Sequence, residues 1–351
     1  MKLGIVGYPL SGKSTLFSIL TNIDLSKIAA KQAFQLGTMF IPDERLSWLF
    51  EISHVPKQIN VYFEIIDFAA IREGIFKESE YIAQLRLMDG FISVIKLFDA
   101  ETNNVPNIAK NLMQDVELQF IISDLELTQN RLERINAKIK KTKDKQLMEE
   151  LPVIEKCNRF LLEEKPLRNL QLSPEEEKLI RGFGFLSLKP ILFVLNISDS
   201  MISDSIILEK LSFEFPNPKV KSITSCIQLE KELLELPEDD AKIFAKEWNI
   251  IEYGPTKLAK IVLSWMGLIS FFTIGKNEVK AWCIHKDTTA QQAAGIIHTD
   301  IAKGFIKAEV ISFYELKKIG NIDQARKIGA LRFEGKDYIV KDGDVITFKF
   351  R

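Results

Sequence analysis

Short apolar segments alternate with helix-like segments over the first hundred residues of the chain. Residues 59–66 alternate apolar and polar with a period of two, whereas residues 90–95 are apolar throughout, as in a strand covered on both faces. Residues 78–89, between them, have a helical pattern. The segments predicted to be strands are residues 2–6, 59–66, 90–95 and 190–195. This order predicts an α/β domain with a doubly wound, mostly parallel sheet.

The stretch from about residue 111 to 165 has a different pattern and contains no glycine. Its apolar residues recur every three or four positions on both sides of a polar turn at residues 140–145. They are Leu118, Ile122, Leu125, Leu132, Ile135 and Ile139 before the turn, and Leu147, Leu151, Ile154 and Leu161 after it. We expect two long helices folded as an antiparallel hairpin with a narrow apolar seam. Its charged residues fit a solvated face, with a partner-binding arm as the alternative.

From about residue 268 the spacing of apolar residues changes again, and the new pattern predicts a small α+β domain. Strands are expected at 268–274, 279–284 and 308–312, with a helix at 288–302. Residues 336–350 are predicted to form two strands joined by an Asp-Gly turn. The predicted domains are therefore residues 1–110 with 184–267, a helical insertion at 111–183, and residues 268–351.

Composition narrows the class of protein. The chain is 46% apolar and 27% charged, with a net charge of −1, so nothing in its overall charge demands a nucleic acid or an anionic membrane. Cys157, Cys226 and Cys283 are widely spaced and fit small buried side chains in a reducing compartment. No apolar run is long enough to span a bilayer, and the first strand leaves no room for a signal peptide. We expect a cytoplasmic protein with no membrane partner.

Residues 7–14 fit the pattern G-x-x-x-x-G-K-[ST], whose backbone N–H groups surround nucleotide phosphates. The alternative is a coincidental glycine-rich turn, but a predicted strand precedes the loop and a predicted helix follows it. Lys13 would reach the β- and γ-phosphates, Ser14 would bind Mg²⁺, and Thr15 would contact the α-phosphate. The candidate binding residues of the loop are Tyr8, Pro9, Leu10, Ser11, Gly12, Lys13, Ser14 and Thr15.

Two later strands end in residues that suit the rest of a nucleotide site. Asp67 closes one strand and is the candidate second magnesium ligand, with a helix cap as the alternative. Asn196, Ile197 and Asp199 follow another strand at the spacing of a base-recognition motif, although an Asn-x-x-Asp sequence also forms ordinary turns. Ser225, Cys226 and Ile227 are the candidates for closing the other side of the base.

Several motifs together resemble the Obg-like ATPase (YchF) family of P-loop proteins, over essentially the whole chain. Beyond the loop they are Ile41–Leu46, Glu278–Trp282, Ala293–Asp300, Lys303–Val310 and Glu334–Tyr338. The resemblance implies a G domain interrupted by a helical hairpin and followed by a ubiquitin-like (β-grasp) TGS domain. It also implies slow hydrolysis of ATP in preference to GTP, and association with the ribosome or RNA through the TGS domain and the hairpin.

The chain departs from the family pattern near the expected γ-phosphate. The Asp-x-x-Gly motif is replaced by Asp67-Phe68-Ala69-Ala70, and only Gly74 remains of the glycine-rich loop that follows. Ile71 agrees with the hydrophobic residue that the family has in place of a water-positioning Gln. Thr38 is the candidate first-switch threonine, and Asn104 lies near the place of the family's proposed catalytic histidine. Nucleotide binding is therefore expected to be retained better than hydrolysis. Lys13 is the one residue to which a catalytic contribution is assigned, through the stabilising effect of its charge on the transition state.

Alternatives remain at this point. Asp199 suits guanine, so GTP is the alternative to ATP as ligand. A hydrolysis-deficient nucleotide-binding scaffold is the alternative to a slow NTPase, while a nucleotide kinase is disfavoured because no basic lid segment follows the core. His54, His285 and His298 have no metal-ligand spacing and suit structural roles. A monomer is favoured, with the oligomeric state left open.

Overall fold

The strands and helices follow one another largely as the hydrophobic pattern predicts. The computed structural model describes residues 1–24, 34–101, 104–141, 144–248, 250 and 252–351. Its strands are β1 Lys2–Gly7, β2 Phe34–Ile41, β3 Lys57–Ile59, β4 Val61–Phe68, β5 Gly90–Lys96, β6 Ile191–Asn196, β7 Val220–Ser225, β8 Leu268–Ile274, β9 Glu278–His285, β10 Phe305–Ser312, β11 Arg332–Glu334 and β12 Asp344–Phe350. The helices are α1 Lys13–Thr21, α2 Glu44–Ser53, α3 Ser79–Arg86, α4 Val105–Ile139, α5 Lys145–Leu162, α6 Pro174–Ile180, α7 Asp199–Ile202, α8 Ser205–Lys210, α9 Ile227–Glu235, α10 Glu238–Glu247, α11 Gly254–Trp265, α12 Ala290–Ile297, α13 Thr299–Lys303, α14 Phe313–Ile319 and α15 Ile322–Lys327.

The chain forms two compact units, Met1–Thr38 with Phe63–Gly254, and Met39–Tyr62 with Pro255–Arg351. In the first unit the strand order is β2-β4-β1-β5-β6-β7, and β1 pairs in parallel with both β4 and β5. β5, β6 and β7 continue the parallel ladder. Because the carboxyl ends of these strands meet at one edge, the residues that follow them come together there.

Helices α4 and α5 form the predicted antiparallel hairpin within the first unit. The buried side of α4 contributes to two cores: Val116 and Phe120 pack in the sheet core, and Ile121 and Ile135 pack against α5. For this reason the seam is not the simple stripe that the sequence suggested. Ile122, predicted to lie in the seam, is 42% exposed, and that prediction is wrong.

The second unit has the strand order β11-β10-β12-β8-β9-β3 in the described residues. β12 runs parallel to β8, and β8 and β9 form an antiparallel hairpin, as a β-grasp arrangement requires. α12 packs on one core of this sheet, and α2 and α14 pack in another.

Two details of the second unit differ from the sequence prediction. The helix expected at 288–302 breaks at His298, whose Nδ1 accepts a hydrogen bond from the Asp300 N–H at 3.2 Å and so caps α13. The two strands expected within 336–350 are also wrong, because only β12 forms there. Val340 donates its N–H to the carbonyl of Thr288 instead.

The overall fold class is therefore confirmed: a mostly parallel α/β domain with a helical hairpin, and a smaller α+β domain of the β-grasp type. The boundaries predicted from the sequence stay a prediction, and the structure differs from them in grouping Met39–Tyr62, including α2 and β3, with the C-terminal unit. Over the described part of the chain, no helix combines the length and apolar character that a membrane crossing needs.

Candidate functional site

The loop between β1 and α1 forms a tight cradle that depends on two glycines. A Cβ atom at Gly7 would lie 2.7 Å from the carbonyl oxygen of Val94 on the neighbouring strand. Gly12 has φ +93°, and a Cβ there would lie 2.5 Å from the side-chain nitrogen of Asn196. Larger residues at either position would push the loop away from the sheet, so the glycines set the shape of the cradle.

Lys13, Ser14 and Asp67 meet at the end of this cradle. Lys13 Nζ donates to Asp67 Oδ1 at 2.7 Å, and Ser14 Oγ donates to Asp67 Oδ2 at 2.7 Å. Lys13 and Asp67 are both buried, at 9% and 7% exposure. The cluster therefore contains a cation for phosphate and two oxygen groups of the kind that Mg²⁺ prefers.

Asn196 connects the cradle to the loop after β7. Its Nδ2 donates to the carbonyl of Ser11 at 2.9 Å, and its Oδ1 accepts the N–H of Ile227 at 3.1 Å. The side-chain nitrogen and oxygen of Asn196 are thus both hydrogen-bonded to main-chain groups. Asn196 fixes the position of two segments that the sequence analysis assigned to one site.

A cavity of about 720 Å³ opens beside the cradle, and we call it the loop cavity. Most of the predicted nucleotide-binding residues after the loop line it, and Leu10, Gly12 and Thr15 line it from the loop itself. The later predicted residues in the lining are Asn196, Ile197, Asp199, Cys226 and Ile227. The structure therefore brings together segments from the ends of β1, β6 and β7.

Some predicted residues lie outside this lining. Ser225 is buried and donates its hydroxyl to Glu230 Oε1 at 2.6 Å. Tyr8 packs against the sheet core, and burial, followed by the nearby charge of Asp115, raises the pKa of its phenol. Burial is also the main cause of a raised pKa for the Cys226 thiol, so this cavity residue stays protonated near neutral pH.

Sequence reasoning missed part of the cavity wall. Phe98, Phe244 and Trp248 line it, together with Ser198, Gln228, Leu229 and Glu232. Phe98 follows closely after β5, so its place at the carboxyl edge of the sheet offered a signal. Phe244 and Trp248 come from α10 and the residue after it, where no motif pointed to the site.

Two of the positions expected near a γ-phosphate, Ala69 and Ile71, carry apolar side chains. Ile71 is buried, and its N–H donates to the carbonyl of Gly7 at 2.9 Å. Ala69 accepts a hydrogen bond from the Tyr81 hydroxyl through its carbonyl. Thr38 is exposed on β2, and Asn104 is the residue before α4, where its side chain makes no capping hydrogen bond. Neither Ile71 nor Ala69 has a polar side-chain group that could orient water.

Together, the parallel sheet, the glycine cradle and the Lys13–Ser14–Asp67 cluster define a P-loop protein with a G-domain fold. Comparison with known proteins gives the family. A family model described as YchF-GTPase_C, a protein of unknown function (DUF933), matches residues 268–351. The chain is 32% identical to the ribosome-binding ATPase YchF of Bacillus subtilis, over 99% of this chain and 98% of that protein.

Relatives from plants and fungi show a similarity of the same extent along the chain. The Obg-like ATPase 1 of Oryza sativa subsp. japonica is 32% identical over 100% of this chain and 92% of its own length. The structure of the Schizosaccharomyces pombe YchF GTPase superposes with a TM-score of 0.79 at 25% identity, covering 99% of this chain and 97% of that one. The chain belongs to the YchF/Obg-like ATPase family.

Proposed function

We propose that this protein binds ATP with Mg²⁺ at the cradle, hydrolyses it slowly, and acts as a nucleotide-controlled factor on the ribosome in the cytoplasm. The observation that carries the proposal is the buried cluster of Lys13, Ser14 and Asp67 at the end of a glycine cradle. The names of the relatives, ribosome-binding ATPase and Obg-like ATPase, support the substrate and the partner.

The donor set at the cradle fits a magnesium ion only with help from a nucleotide. Within the described residues, no group of three or more His, Cys, Asp or Glu side chains could hold a metal ion. Ser14 and Asp67 would supply two oxygen ligands, and phosphate oxygens and water would supply the others. When bound there, Mg²⁺ neutralises charge on the phosphates. When nucleotide binds, the Lys13 ammonium would leave Asp67 and pair with phosphate oxygens, so that one ion pair replaces another.

Slow turnover follows from the region beside the cradle. A polar side chain that orients the attacking water is a main source of rate in related NTPases, and the buried Ile71 offers no such group. The charge of Lys13 and the backbone N–H groups of the loop remain to stabilise the transition state. The same observation favours the second candidate function, a nucleotide-binding scaffold without useful turnover.

The choice of base rests on Asn196, Ile197 and Asp199. Asn196 is occupied with backbone, and Asp199 is exposed at the cavity, where its carboxylate accepts the N–H of Ser200 at 2.7 Å. A carboxylate at that place accepts hydrogen bonds from guanine, and it can also accept one from the amino group of adenine. We favour ATP because of the relatives' names, with GTP as the alternative.

We assign ribosome or RNA binding to the second unit and the tip of the hairpin. On one face of the second unit's sheet, Phe333 is 63% exposed and the Lys307 ammonium lies 3.8 Å from the centre of its ring. Lys349 lies opposite Lys307 in the ladder. Exposed aromatic rings with neighbouring cations are typical of single-stranded RNA contacts. At the hairpin tip Lys140, Lys141 and Lys145 are exposed and suit phosphate contacts.

Two measurements test the function. Sedimentation with ribosomes in ATP and in ADP should show nucleotide-dependent association, and absence from the ribosomal fraction in both would contradict the proposed partner. Single-turnover hydrolysis with excess protein should release phosphate slowly in a Mg²⁺-dependent way, and Lys13→Ala should abolish the release. Release at the uncatalysed rate, with ATP binding intact, would favour the scaffold.

A further inference from the structure

Helix α10 carries two aromatic side chains on the wall of the loop cavity. Phe244 and the residue after the helix, Trp248, are four positions apart and therefore lie on the same side. Ala241 and Ala245 of the helix are buried, and Trp248 is partly buried where it packs against the sheet core. Phe244 is 47% exposed although it is large and apolar. Packing of the helix alone therefore does not account for Phe244.

The cavity is continuous from the cradle to these rings. Gly12 and Thr15 of the cradle line it together with Phe244 and Trp248, and Phe98 lines it as a third aromatic side chain. Its volume of about 720 Å³ lies within the range of small-molecule pockets, and its apolar walls suit a planar ring better than they suit phosphate. A triphosphate held at Lys13 would place its base in this apolar part.

We propose that Phe244 and Trp248 are positioning residues that stack on the nucleotide base. This inference rests on the proposed function, since it assigns the base-binding part of the same site. Stacking on an aromatic ring uses the π-face that every base has, so it contributes affinity with little base specificity. The wall therefore holds a purine ring, and hydrogen-bonding groups elsewhere in the cavity decide between adenine and guanine.

The test compares three ligands on four proteins: wild type, Phe244→Ala, Trp248→Phe and Ile243→Ala. The ligands are MgATP, MgGTP and magnesium tripolyphosphate, which carries the phosphates without a base. Ile243 is the matched control because it is adjacent to Phe244 on α10 and 60% exposed, but does not line the cavity. Binding is measured by calorimetry, after circular dichroism has checked folding.

We expect Phe244→Ala to weaken MgATP and MgGTP by about tenfold each. Tripolyphosphate binding should change by less than about twofold, because it makes no stacking contact. Trp248→Phe should retain most of the affinity, since it keeps an aromatic ring. Ile243→Ala should match wild type for all three ligands.

Fluorescence gives a second readout that does not depend on stability. Trp48, Trp265 and Trp282 belong to the second unit, whereas Trp248 lies at the cavity. Nucleotide should change tryptophan emission in wild type and tripolyphosphate should not, and Trp248→Phe should remove the nucleotide signal.

Two results would overturn the inference while leaving the proposed function intact. One is unchanged nucleotide affinity in Phe244→Ala together with unchanged emission in wild type. The other is an equal loss of nucleotide and tripolyphosphate affinity, which would indicate a general disturbance of the site. If wild type binds neither nucleotides nor tripolyphosphate, the proposed function itself fails and the stacking assignment fails with it.

Discussion

Among the buried charged clusters of the first unit, those of Asp67 and Asp124 differ in what satisfies the carboxylate. In the cradle, Asp67 is held by the side chains of Lys13 and Ser14. In the other cluster Asp124, at 0% exposure, accepts the backbone N–H groups of Leu186 at 2.9 Å and Ser187 at 2.7 Å. Arg86 completes that cluster at 3.2 Å.

The difference separates the proposed nucleotide site, whose carboxylate has side-chain partners, from a structural cluster, whose carboxylate has backbone partners. Side-chain partners can rotate toward an incoming phosphate, whereas backbone partners are fixed by the fold. Burial, the largest effect, raises the pKa of Asp124, and the hydrogen bonds from Leu186 and Ser187 oppose that shift.

The largest expected effect is on stability, at the structural cluster. Asp124→Ala leaves two backbone N–H groups and the Arg86 charge without their acceptor, so the free energy of unfolding should fall by about 3–5 kcal/mol. Urea denaturation measures the change, and Glu126→Ala, an exposed change on the same helix, is the control. A loss below about 1 kcal/mol would show that the cluster is not structural.

At the cradle, a substitution should mainly lower the affinity for nucleotide. Lys13→Ala removes a charge-assisted hydrogen-bond donor to the phosphates, so affinity for MgATP should fall by about 100-fold. Calorimetry checks this against Lys165→Ala, whose side chain is 55% exposed just after α5. Folded Asp124→Ala protein should keep wild-type affinity within about threefold. Equal affinity losses in both variants would remove the distinction between the clusters.

A charge-neutral variant sharpens the role of Asp67. Asp67→Asn frees Lys13 from its ion pair but weakens the oxygen donor for the metal. The gain in ATP affinity on adding Mg²⁺ should therefore shrink by about tenfold, while affinity in EDTA should not fall. ATP titrations with and without Mg²⁺ measure both values. An unchanged gain would argue against Asp67 as the magnesium residue.

The smallest expected effect is a pH dependence at the structural cluster. Burial lowers the pKa of Lys189 to about 8, so the unfolded chain binds more protons than the folded one above that pH. The free energy of unfolding of wild type, relative to that of Lys189→Met, should therefore increase by about 1 kcal/mol between pH 7 and 8.5. Parallel urea curves of the two proteins at both pH values measure it. A difference that falls with pH would contradict the sign.

Much of the cradle was predictable because its residues are close together in sequence. Gly7, Gly12, Lys13 and Ser14 form one continuous motif between a strand and a helix, and Asp67 follows from the end of a second strand. The pairing of Asn196 with the backbone of Ser11 was not predictable, since the two residues are far apart and either could have faced a ligand. Phe244 and Trp248 carry no motif, so their place in the cavity depends on how α10 packs.

One segment shows the limit of periodicity. Residues 59–66 alternate as a single strand, yet Lys57–Ile59 joins β9 in the second unit and Val61–Phe68 joins β1 in the first. Asn60 separates them. An alternating pattern shows that one face is buried, but it does not say in which sheet.

The amino-acid sequence by itself determined the parallel strands at residues 2–6, 90–95 and 190–195, the helical hairpin, the glycine motif and the family, because these depend on local spacing of side chains and on contiguous motifs. Tertiary structure alone decided which buried charges face exchangeable partners, which aromatic rings complete the cavity, and which sheet each half of residues 57–68 joins. Those outcomes depend on contacts between residues that are distant along the chain, and a local pattern carries no information about such distances.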